Sequence, residues 1–243
     1  GSRYATSSHA SRRKIHGPYD APRTAKNDLS MYRLLITLAL RLHSLSYKLV
    51  SKLAILEEGL HPKHRLMNYH QFFIDHIATH DRVLDIGCGN GALAFDLAKK
   101  AKHVVGIDLN PKHQSAWQGR FATHNLTYKI ADATTLSTDE TFDVVVLSNV
   151  LEHIEHRIDF LKRIKHLAPL FLIRVPMLDR DWITLYKKEL GLDYRLDTTH
   201  STEYTLDQFT QELLKAGLMI QSKSIQFGEI WAVATLYEYP PKG

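Results

Sequence analysis

Cysteine is nearly absent from this sequence, since Cys88 is the only one in 243 residues. A single thiol excludes a disulfide framework and a zinc site built from cysteines, and it suits a reducing compartment. The N-terminus lacks the apolar segment of a signal peptide. The uncharged run Leu34–Leu40 is too short to span a bilayer, which takes about 20 apolar residues. These absences predict a cytoplasmic protein.

Basic charge is concentrated at the N-terminus. Residues 1–65 contain 12 lysines and arginines against 4 acidic residues, whereas the remainder contains 19 against 22. Basic tails often meet nucleic acid or anionic lipid, and a solvated tail that aids solubility has the same composition. Residues 1–28 are rich in Ser, Arg, Pro and His, and we predict a disordered tail or a tag there.

A helical segment is predicted over residues 29–80. Within it, residues 29–56 form an amphipathic pattern in which leucines recur every three or four positions. A basic helix of this kind can lie on a membrane surface, pack on the body of the protein or cover its active site. A second helix is expected at Leu66–Thr79. The basic residues interspersed among the leucines are Arg33, Arg41, Lys48 and Lys52.

Strands and helices alternate through residues 81–243, which we predict to be one domain. Apolar strands that alternate with helices predict a parallel sheet covered on both faces. The last two strands are joined tightly at Phe227–Glu229, so one strand runs antiparallel to the rest. Strands are expected at 83–86, 103–107, 126–130, 142–147, 170–175, 218–226 and 230–239. Helices are expected at 92–100, 112–123, 158–167 and 206–216.

The stretch VLDIGCGNGALAFDLA, residues 83–98, predicts a nucleotide-binding loop. An apolar strand runs into three closely spaced glycines, and a helix follows whose free N–H groups can face a ligand. The spacing Gly87-x-Gly89-x-x-Ala92 even fits the dinucleotide fingerprint. However, Asp85 precedes the loop by two residues, and a carboxylate there repels a pyrophosphate. The loop therefore favours a positively charged ligand without phosphate, such as S-adenosylmethionine.

Two further acidic residues follow the next strands. Asp108 ends the second strand, 21 residues after Gly87, where a carboxylate can bind both hydroxyls of a ribose. Asp132 follows the third strand in the sequence ADAT, in a position to accept a hydrogen bond from an adenine amino group. A helix cap is the alternative role for Asp132.

The motifs VLDIGCGNG, VVGIDLN, ADAT and FDVVVLSNVLEH occur in this order and resemble those of class I S-adenosylmethionine-dependent methyltransferases. The resemblance covers about residues 66–238. It implies a Rossmann-like α/β fold with a seven-stranded, mostly parallel sheet and an antiparallel C-terminal hairpin. It also implies S-adenosylmethionine as the cofactor. The residues that it assigns to the cofactor are Asp85, Gly87 and Gly89 at the methionine end, Asp108 at the ribose, Leu109, Asp132 and Ala133 around the adenine, and Ser148 beside the methyl group.

His153, just after the fourth strand, is a candidate catalytic base. Some relatives have the pattern E-x-x-E-H at this place and bind a divalent ion there, but this sequence has Asn149 in place of the first acid. An amide oxygen is a weaker ligand for Mg²⁺ than a carboxylate. The histidines form no H-E-x-x-H or comparable zinc pattern. We therefore predict no metal, and a site at Asn149, Glu152 and His153 stays open as an alternative.

His200 is the second catalytic candidate. It precedes Tyr204 and Thr205, and Thr205 is a predicted N-cap of the last helix, with Gln208 completing a capping box. His200 is thus either a base or a bracket that fixes this loop. The insertion at residues 177–204 carries it and is expected to form one wall of the acceptor pocket, because ligands bind beyond the carboxyl ends of the strands.

The predicted reaction is methylation of a hydroxyl group on a small-molecule or glycan-type acceptor. A sulfonium is an activated methyl donor, so the protein has to align the reacting groups, and a histidine can take the hydroxyl proton near neutral pH. An RNA methyltransferase that uses the basic N-terminal segment is an alternative, although the N/D-P-P-Y/F motif of base amino methylation is absent. A non-enzymatic S-adenosylmethionine-binding protein is another. The sequence leaves the oligomeric state undetermined.

Overall fold

The fold was analysed in a computed structural model, which describes residues 26–136 and 138–237. Of the predicted tail, residues 1–28, positions 1–25 therefore lie outside the described residues. The chain divides into two compact units, Gly1–Tyr47 and Lys48–Gly243. Among the described residues, no helix is both long and apolar enough to cross a membrane.

Helix α1, Lys26–Glu58, begins three residues before the expected start and runs without a break. One of its sides carries seven leucines that are each 54–71% exposed, at positions 34, 38, 42, 45, 49, 53 and 56. Leu40, on another side, is only 8% exposed. The predicted amphipathic helix is confirmed, and its leucine-rich side is exposed.

The second predicted helix is wrong in its bounds. The structure has two short helices in place of Leu66–Thr79, namely α2, Lys63–Met67, and α3, Tyr69–Asp75. Asn68 separates them in the left-handed conformation, with φ of 47°. Asparagine tolerates this conformation better than most residues, so a break at Asn68 is sterically permitted. The break turns Lys63 and Tyr69 toward the same cleft.

A seven-stranded sheet of order β3-β2-β1-β4-β5-β7-β6 forms the centre of the second unit. All neighbouring pairs from β3 to β5 are parallel, and β7 pairs antiparallel with both β5 and β6. This confirms the predicted mostly parallel sheet with an antiparallel hairpin. The strands are β1 Arg82–Ile86, β2 His103–Asp108, β3 Leu126–Ile130, β4 Val144–Ser148, β5 Leu170–Pro176, β6 Leu218–Gln226 and β7 Glu229–Leu236.

Three of the four predicted helices are present with shorter bounds, the last one has the predicted bounds, and the helix at Trp182–Glu189 was not predicted. These helices are α4 Ala92–Ala98, α5 Gln114–Gln118, α6 Arg157–Ile164, α7 Trp182–Glu189 and α8 Leu206–Ala216. Helix α5 ends at Gln118, five residues before the predicted end at position 123, and a loop leads from it to β3. Thr205 caps α8 by accepting a hydrogen bond from the Gln208 N–H, as predicted. The Gln208 amide donates to Glu212 and Thr202, so the reciprocal bond of a capping box is not formed.

Two apolar clusters lie against the sheet because successive strand residues point to opposite faces. Along β4, Val144 and Val146 belong to one cluster, whereas Val145 and Leu147 belong to the other. The first of these clusters also contains side chains of α3 and α4, and the second contains side chains of α6 and α8. Helices on both faces fix the sheet, and the carboxyl ends of β1, β2, β4 and β5 then meet at one edge.

Candidate active site

The loop after β1 is shaped by glycines at positions where a side chain is excluded. Gly87, Gly89 and Gly91 have φ values of 69°, 55° and 88°, in the left-handed region. A Cβ on Gly91 would lie 2.4 Å from Tyr128 Oη, and one on Gly87 would lie 2.7 Å from Val150 Cγ2. The tight strand-to-helix turn expected from the sequence is therefore present, and its backbone is open to a ligand.

Asp85 is a buried carboxyl group beneath this loop. Its side chain is 1% exposed, and Oδ2 has no hydrogen-bond partner among the described residues. Burial, and to a smaller extent the nearby Asp108, raise the pKa of Asp85 to about 8. A cationic ligand would favour the ionised carboxylate, because an opposite charge lowers the pKa of an acid. The ammonium group of S-adenosylmethionine fits this requirement, whereas a pyrophosphate does not.

Asp108, at the end of β2, connects two loops at the same sheet edge. Its Oδ2 accepts a hydrogen bond from the Gly89 N–H at 2.9 Å, and its Oδ1 accepts one from the Asn110 N–H at 2.8 Å. The neighbouring Leu109 is 66% exposed. Asp108 thus holds the glycine loop against β2, and its role at the ribose stays a prediction.

Asp132, in the loop after β3, forms a local turn. Its Oδ1 accepts hydrogen bonds from the Thr134 N–H at 2.8 Å and the Thr134 hydroxyl at 2.7 Å, and these bonds lower the pKa of Asp132. No helix begins here in the described structure, so the alternative role as a helix cap is wrong. The next residue, Ala133, packs against the apolar core.

A cleft of about 220 Å³ opens beside the glycine loop. Its lining includes four predicted cofactor residues, Asp85, Gly87, Gly89 and Ser148. Asp108, Leu109, Asp132 and Ala133 lie outside this lining, as do His153 and His200. The lining also includes four residues that the sequence did not point to, namely Lys63, His64, Tyr69 and Arg174.

Glu152 is a second buried carboxyl group, in a 3₁₀ turn just after β4. It is 0% exposed, and its Oε1 accepts a hydrogen bond from the Asn149 amide at 2.8 Å. Its Oε2 has no hydrogen-bond partner among the described residues. Burial raises the pKa of Glu152 to about 7, against the smaller effect of its hydrogen bonds. Glu152 therefore exchanges a proton near neutral pH.

His153 and His200 meet edge to face, with ring centroids 4.7 Å apart. His153 is exposed, and its Nδ1 lies 3.0 Å from the Thr199 hydroxyl. Partial burial of the ring, followed by the nearby His200, lowers the pKa of His153. His200 is buried, and its Nδ1 lies 3.2 Å from Glu203 Oε1. The structure thus brings together the two histidines that the sequence placed 47 positions apart.

Glu152, His153 and His200 form a cluster whose potential ligand atoms all lie within 4.8 Å of one another. This set of one carboxylate and two imidazoles suits a divalent transition metal. It differs from the alternative set derived from the sequence, because it contains His200, whereas Asn149 accepts a hydrogen bond from Arg174 through Oδ1 and donates one to Glu152 through its amide nitrogen. His200 is the member that the motif did not reveal, since it comes from the insertion.

The insertion at residues 177–204 is held together by Glu203, which is 2% exposed. Glu203 forms an ion pair with Arg180 and accepts a hydrogen bond from the Leu196 N–H. Arg195 donates to the backbone carbonyl of His200 at 2.8 Å. Both arginines are thus engaged within the insertion. Trp182, at 70% exposure, remains on its surface.

Comparison with known proteins agrees with this geometry. The family model described as a methyltransferase domain matches residues 59–223. This chain belongs to the methyltransferase domain family. The family comprises class I enzymes that use S-adenosylmethionine, so the predicted fold, enzyme class and cofactor are confirmed.

Individual relatives match over part of the chain. The ubiquinone biosynthesis O-methyltransferase of Bradyrhizobium diazoefficiens is 29% identical over 167 residues, which cover 63% of this chain and 66% of that protein. The chain thus spans less than two thirds of the length of that relative. The structure of magnesium protoporphyrin IX methyltransferase from Synechocystis PCC 6803 has a TM-score of 0.56 and 20% identity, covering 72% of this chain and 83% of the other. The second likeness shows the fold alone.

Proposed function

We propose that this methyltransferase transfers the methyl group of S-adenosylmethionine to a hydroxyl group on a small-molecule or glycan-type acceptor. The observation that carries the proposal is the buried, unpartnered Asp85 beneath the glycine loop, in the same cleft as Ser148 at the end of β4. The name of the Bradyrhizobium relative, an O-methyltransferase, supports a hydroxyl acceptor. Other side chains at this edge of the sheet would bind the rest of the cofactor and take the proton of the acceptor.

The cofactor supplies a methyl group that is already activated on a sulfonium. Asp85 binds the ammonium group, the backbone of Gly87 and Gly89 approaches the methionine end, and Asp108 binds the ribose hydroxyls. Leu109, Asp132 and Ala133 surround the adenine. His153 takes the proton of the acceptor hydroxyl at Nε2, because Nδ1 faces Thr199. A lowered pKa keeps His153 neutral and able to accept a proton at neutral pH.

An acceptor screen with labelled methyl donor tests this function. Phenols, sugar-containing metabolites and RNA are incubated with the protein and S-adenosylmethionine, and the label in each product is counted. We expect label in hydroxyl-bearing small molecules. Labelled RNA as the sole product would support the alternative that uses the basic N-terminal segment. Tight binding of S-adenosylhomocysteine without any labelled product would support a binding protein that is not an enzyme.

We also propose that α1 contacts an anionic membrane surface. Its seven exposed leucines recur every three or four residues. Between Leu29 and Leu56 the helix has four basic residues and no acidic one, so its charge complements an anionic surface. Each basic residue near such a surface contributes about 1 kcal/mol. The combination of an apolar side and basic flanks is typical of helices that lie in the membrane interface.

Sedimentation with lipid vesicles tests the role of α1. We expect binding to vesicles of phosphatidylcholine and phosphatidylglycerol, and weak binding to phosphatidylcholine alone. The double variant Leu42→Gln/Leu45→Gln is expected to lose vesicle binding, because it removes apolar area that the membrane would bury. The double variant Arg41→Gln/Lys48→Gln is expected to weaken vesicle binding, because it removes two positive charges. Ser51→Gln, on the opposite side of the helix, is the matched control. A dimer in solution that the leucine variant dissociates, without any vesicle binding, would assign this side to a second copy.

A further inference from the structure

Two stacked aromatic side chains contact the glycine loop without lining the cleft. Trp117 comes from α5 and Tyr128 from β3, and their ring centroids lie 5.0 Å apart with the ring planes 3° from parallel. Trp117 is 5% exposed and belongs to the apolar cluster against which Tyr128 packs. Neither residue belongs to the motifs that indicate the family. Their contact with the loop therefore follows from the fold.

Trp117 holds the backbone of Gly89. Its Nε1 donates a hydrogen bond to the Gly89 carbonyl oxygen at 2.9 Å. The N–H of the same residue donates to Asp108 Oδ2 at 2.9 Å, so both polar backbone groups of Gly89 have partners outside the loop. A glycine populates positive and negative φ about equally, and Gly89 has a φ of 55°. These two hydrogen bonds, rather than a side chain of Gly89, therefore select its conformation.

Tyr128 holds the end of the loop. Its hydroxyl group lies 3.1 Å from the Gly91 carbonyl oxygen and 3.0 Å from that of Phe121, so its single proton is shared between them. The ring fills space that glycines leave open, because a Cβ on Gly106 would lie 2.9 Å from Tyr128 Cδ1. Gly106 lies in β2 and is not among the glycines with positive φ. Room for the Tyr128 ring is therefore what its lack of a side chain provides.

The stacked pair limits the conformations of a loop that would otherwise have many. A cofactor binds only the fraction of molecules whose loop has the right conformation, and its apparent affinity falls in proportion to that fraction. Tyr128 is fixed in a strand and Trp117 is stacked on it, so both donors are held in place. Each hydrogen bond that they donate raises the fraction of molecules that can bind the cofactor.

We infer that Trp117 and Tyr128 are positioning residues for S-adenosylmethionine. They bind the carbonyl groups of Gly89 and Gly91 and so keep the loop in the conformation that receives the methionine end. This inference rests on the place that the proposed function gives to the cofactor. Neither side chain lines the cleft, so both act through the loop backbone.

Calorimetry with S-adenosylhomocysteine tests the inference on two variants that each remove one donor. Trp117→Phe removes the indole N–H and keeps an aromatic ring, and Tyr128→Phe removes the hydroxyl group alone. Each is expected to bind S-adenosylhomocysteine about three- to tenfold more weakly, at a temperature at which circular dichroism shows it to be folded. Hydrogen exchange of the ligand-free protein, measured by mass spectrometry, is expected to be faster in the peptide that contains the loop.

Asn125→Ala is the matched control. The Asn125 amide donates to the carbonyl groups of Ala98 and Ala101 at 2.8 and 3.1 Å, so it fixes the far end of α4 and not the glycine loop. The variant loses hydrogen bonds between a side chain and the backbone, as the two test variants do. It is expected to lower the melting temperature and to leave both the affinity and the exchange of the loop unchanged.

Other outcomes overturn the inference. If both test variants stay within about threefold of the affinity of the unmodified protein, the pair does not position the loop for the cofactor, even if exchange is faster. If Asn125→Ala weakens binding as much as they do, the affinity only follows stability. Tyr128→Phe decides the test if Trp117→Phe does not fold. Failure of the unmodified protein to bind S-adenosylhomocysteine would count against the proposed function itself.

Discussion

Asp85→Asn is expected to stabilise the ligand-free protein and to weaken its binding of S-adenosylhomocysteine more than tenfold. The affinity falls because the ammonium group of the ligand loses a buried charged partner, a change that costs about 2–5 kcal/mol in other complexes. The stability rises because the fold no longer buries a carboxyl group that ionises without a partner. Titration calorimetry measures the first effect and thermal unfolding the second.

The gain in stability depends on pH in a defined direction. The pKa of Asp85 is raised from 3.8 to about 8 in the folded protein. The native protein therefore loses stability as pH rises from about 4 to 8, whereas the asparagine variant does not titrate there. We expect the unfolding free energy of Asp85→Asn to exceed that of the unmodified protein by about 1–3 kcal/mol at the upper end of this window. The difference stays this small because the buried amide has unpaired groups of its own.

The matched control for this prediction is Asp159→Asn, an exposed aspartate in the first turn of α6. It is expected to change neither the affinity nor the pH dependence of stability. An Asp85→Asn variant that binds S-adenosylhomocysteine as tightly as the unmodified protein would show that Asp85 does not contact the ammonium group.

His153→Ala is expected to lower turnover about 10²–10⁴-fold, the usual range for loss of a general base. Affinity for S-adenosylhomocysteine should change little, because His153 lies outside the lining of the cleft in which we propose that the methionine end binds. Turnover of the unmodified enzyme should rise with pH to a plateau. Since partial burial lowers the pKa of His153, the midpoint of the rise is expected below 6.5. Initial rates on the acceptor found in the screen measure both effects.

Three comparisons separate the roles within this cluster. His156→Ala, an exposed histidine three positions further along, is the control and should leave turnover unchanged. If His200→Ala causes the larger loss while His153→Ala stays within a few-fold, their roles are exchanged. If a chelator abolishes turnover and a divalent ion restores it, a metal at Glu152, His153 and His200 replaces the free base, and Glu152→Gln should then abolish turnover as well.

The sheet and the glycine loop were predictable because their signals are local. Each central strand is a short apolar run, as at Val144–Leu147, and each is bounded by polar residues. The glycines indicate a turn, because most other residues avoid positive φ. The hairpin was also predicted from the sequence, at Phe227–Glu229. In the structure, Phe227 and Gly228 form its two-residue turn, with φ values of 53° and 73°.

The break at Asn68 was not predictable from the same kind of signal. The apolar residues of 66–79 continue at helical spacing across it, and a left-handed asparagine leaves no mark in that spacing. The break matters because it places both Lys63 and Tyr69 in the cleft. In the same way, nothing around Arg174 in the sequence of β5 distinguishes it from an outward-facing residue of a strand.

The sequence by itself determined the fold class, the family and the place of the cofactor loop, because periodicity, turn residues and motif order are properties of neighbouring positions. Only the tertiary structure decided which distant side chains share a site. It brought His200 of the insertion to Glu152 and His153, left Asn149 bound to Arg174, and brought α2 and β5 to one cleft. Such contacts arise when the carboxyl ends of several strands meet at one edge of the sheet, and spacing along the chain carries no record of them.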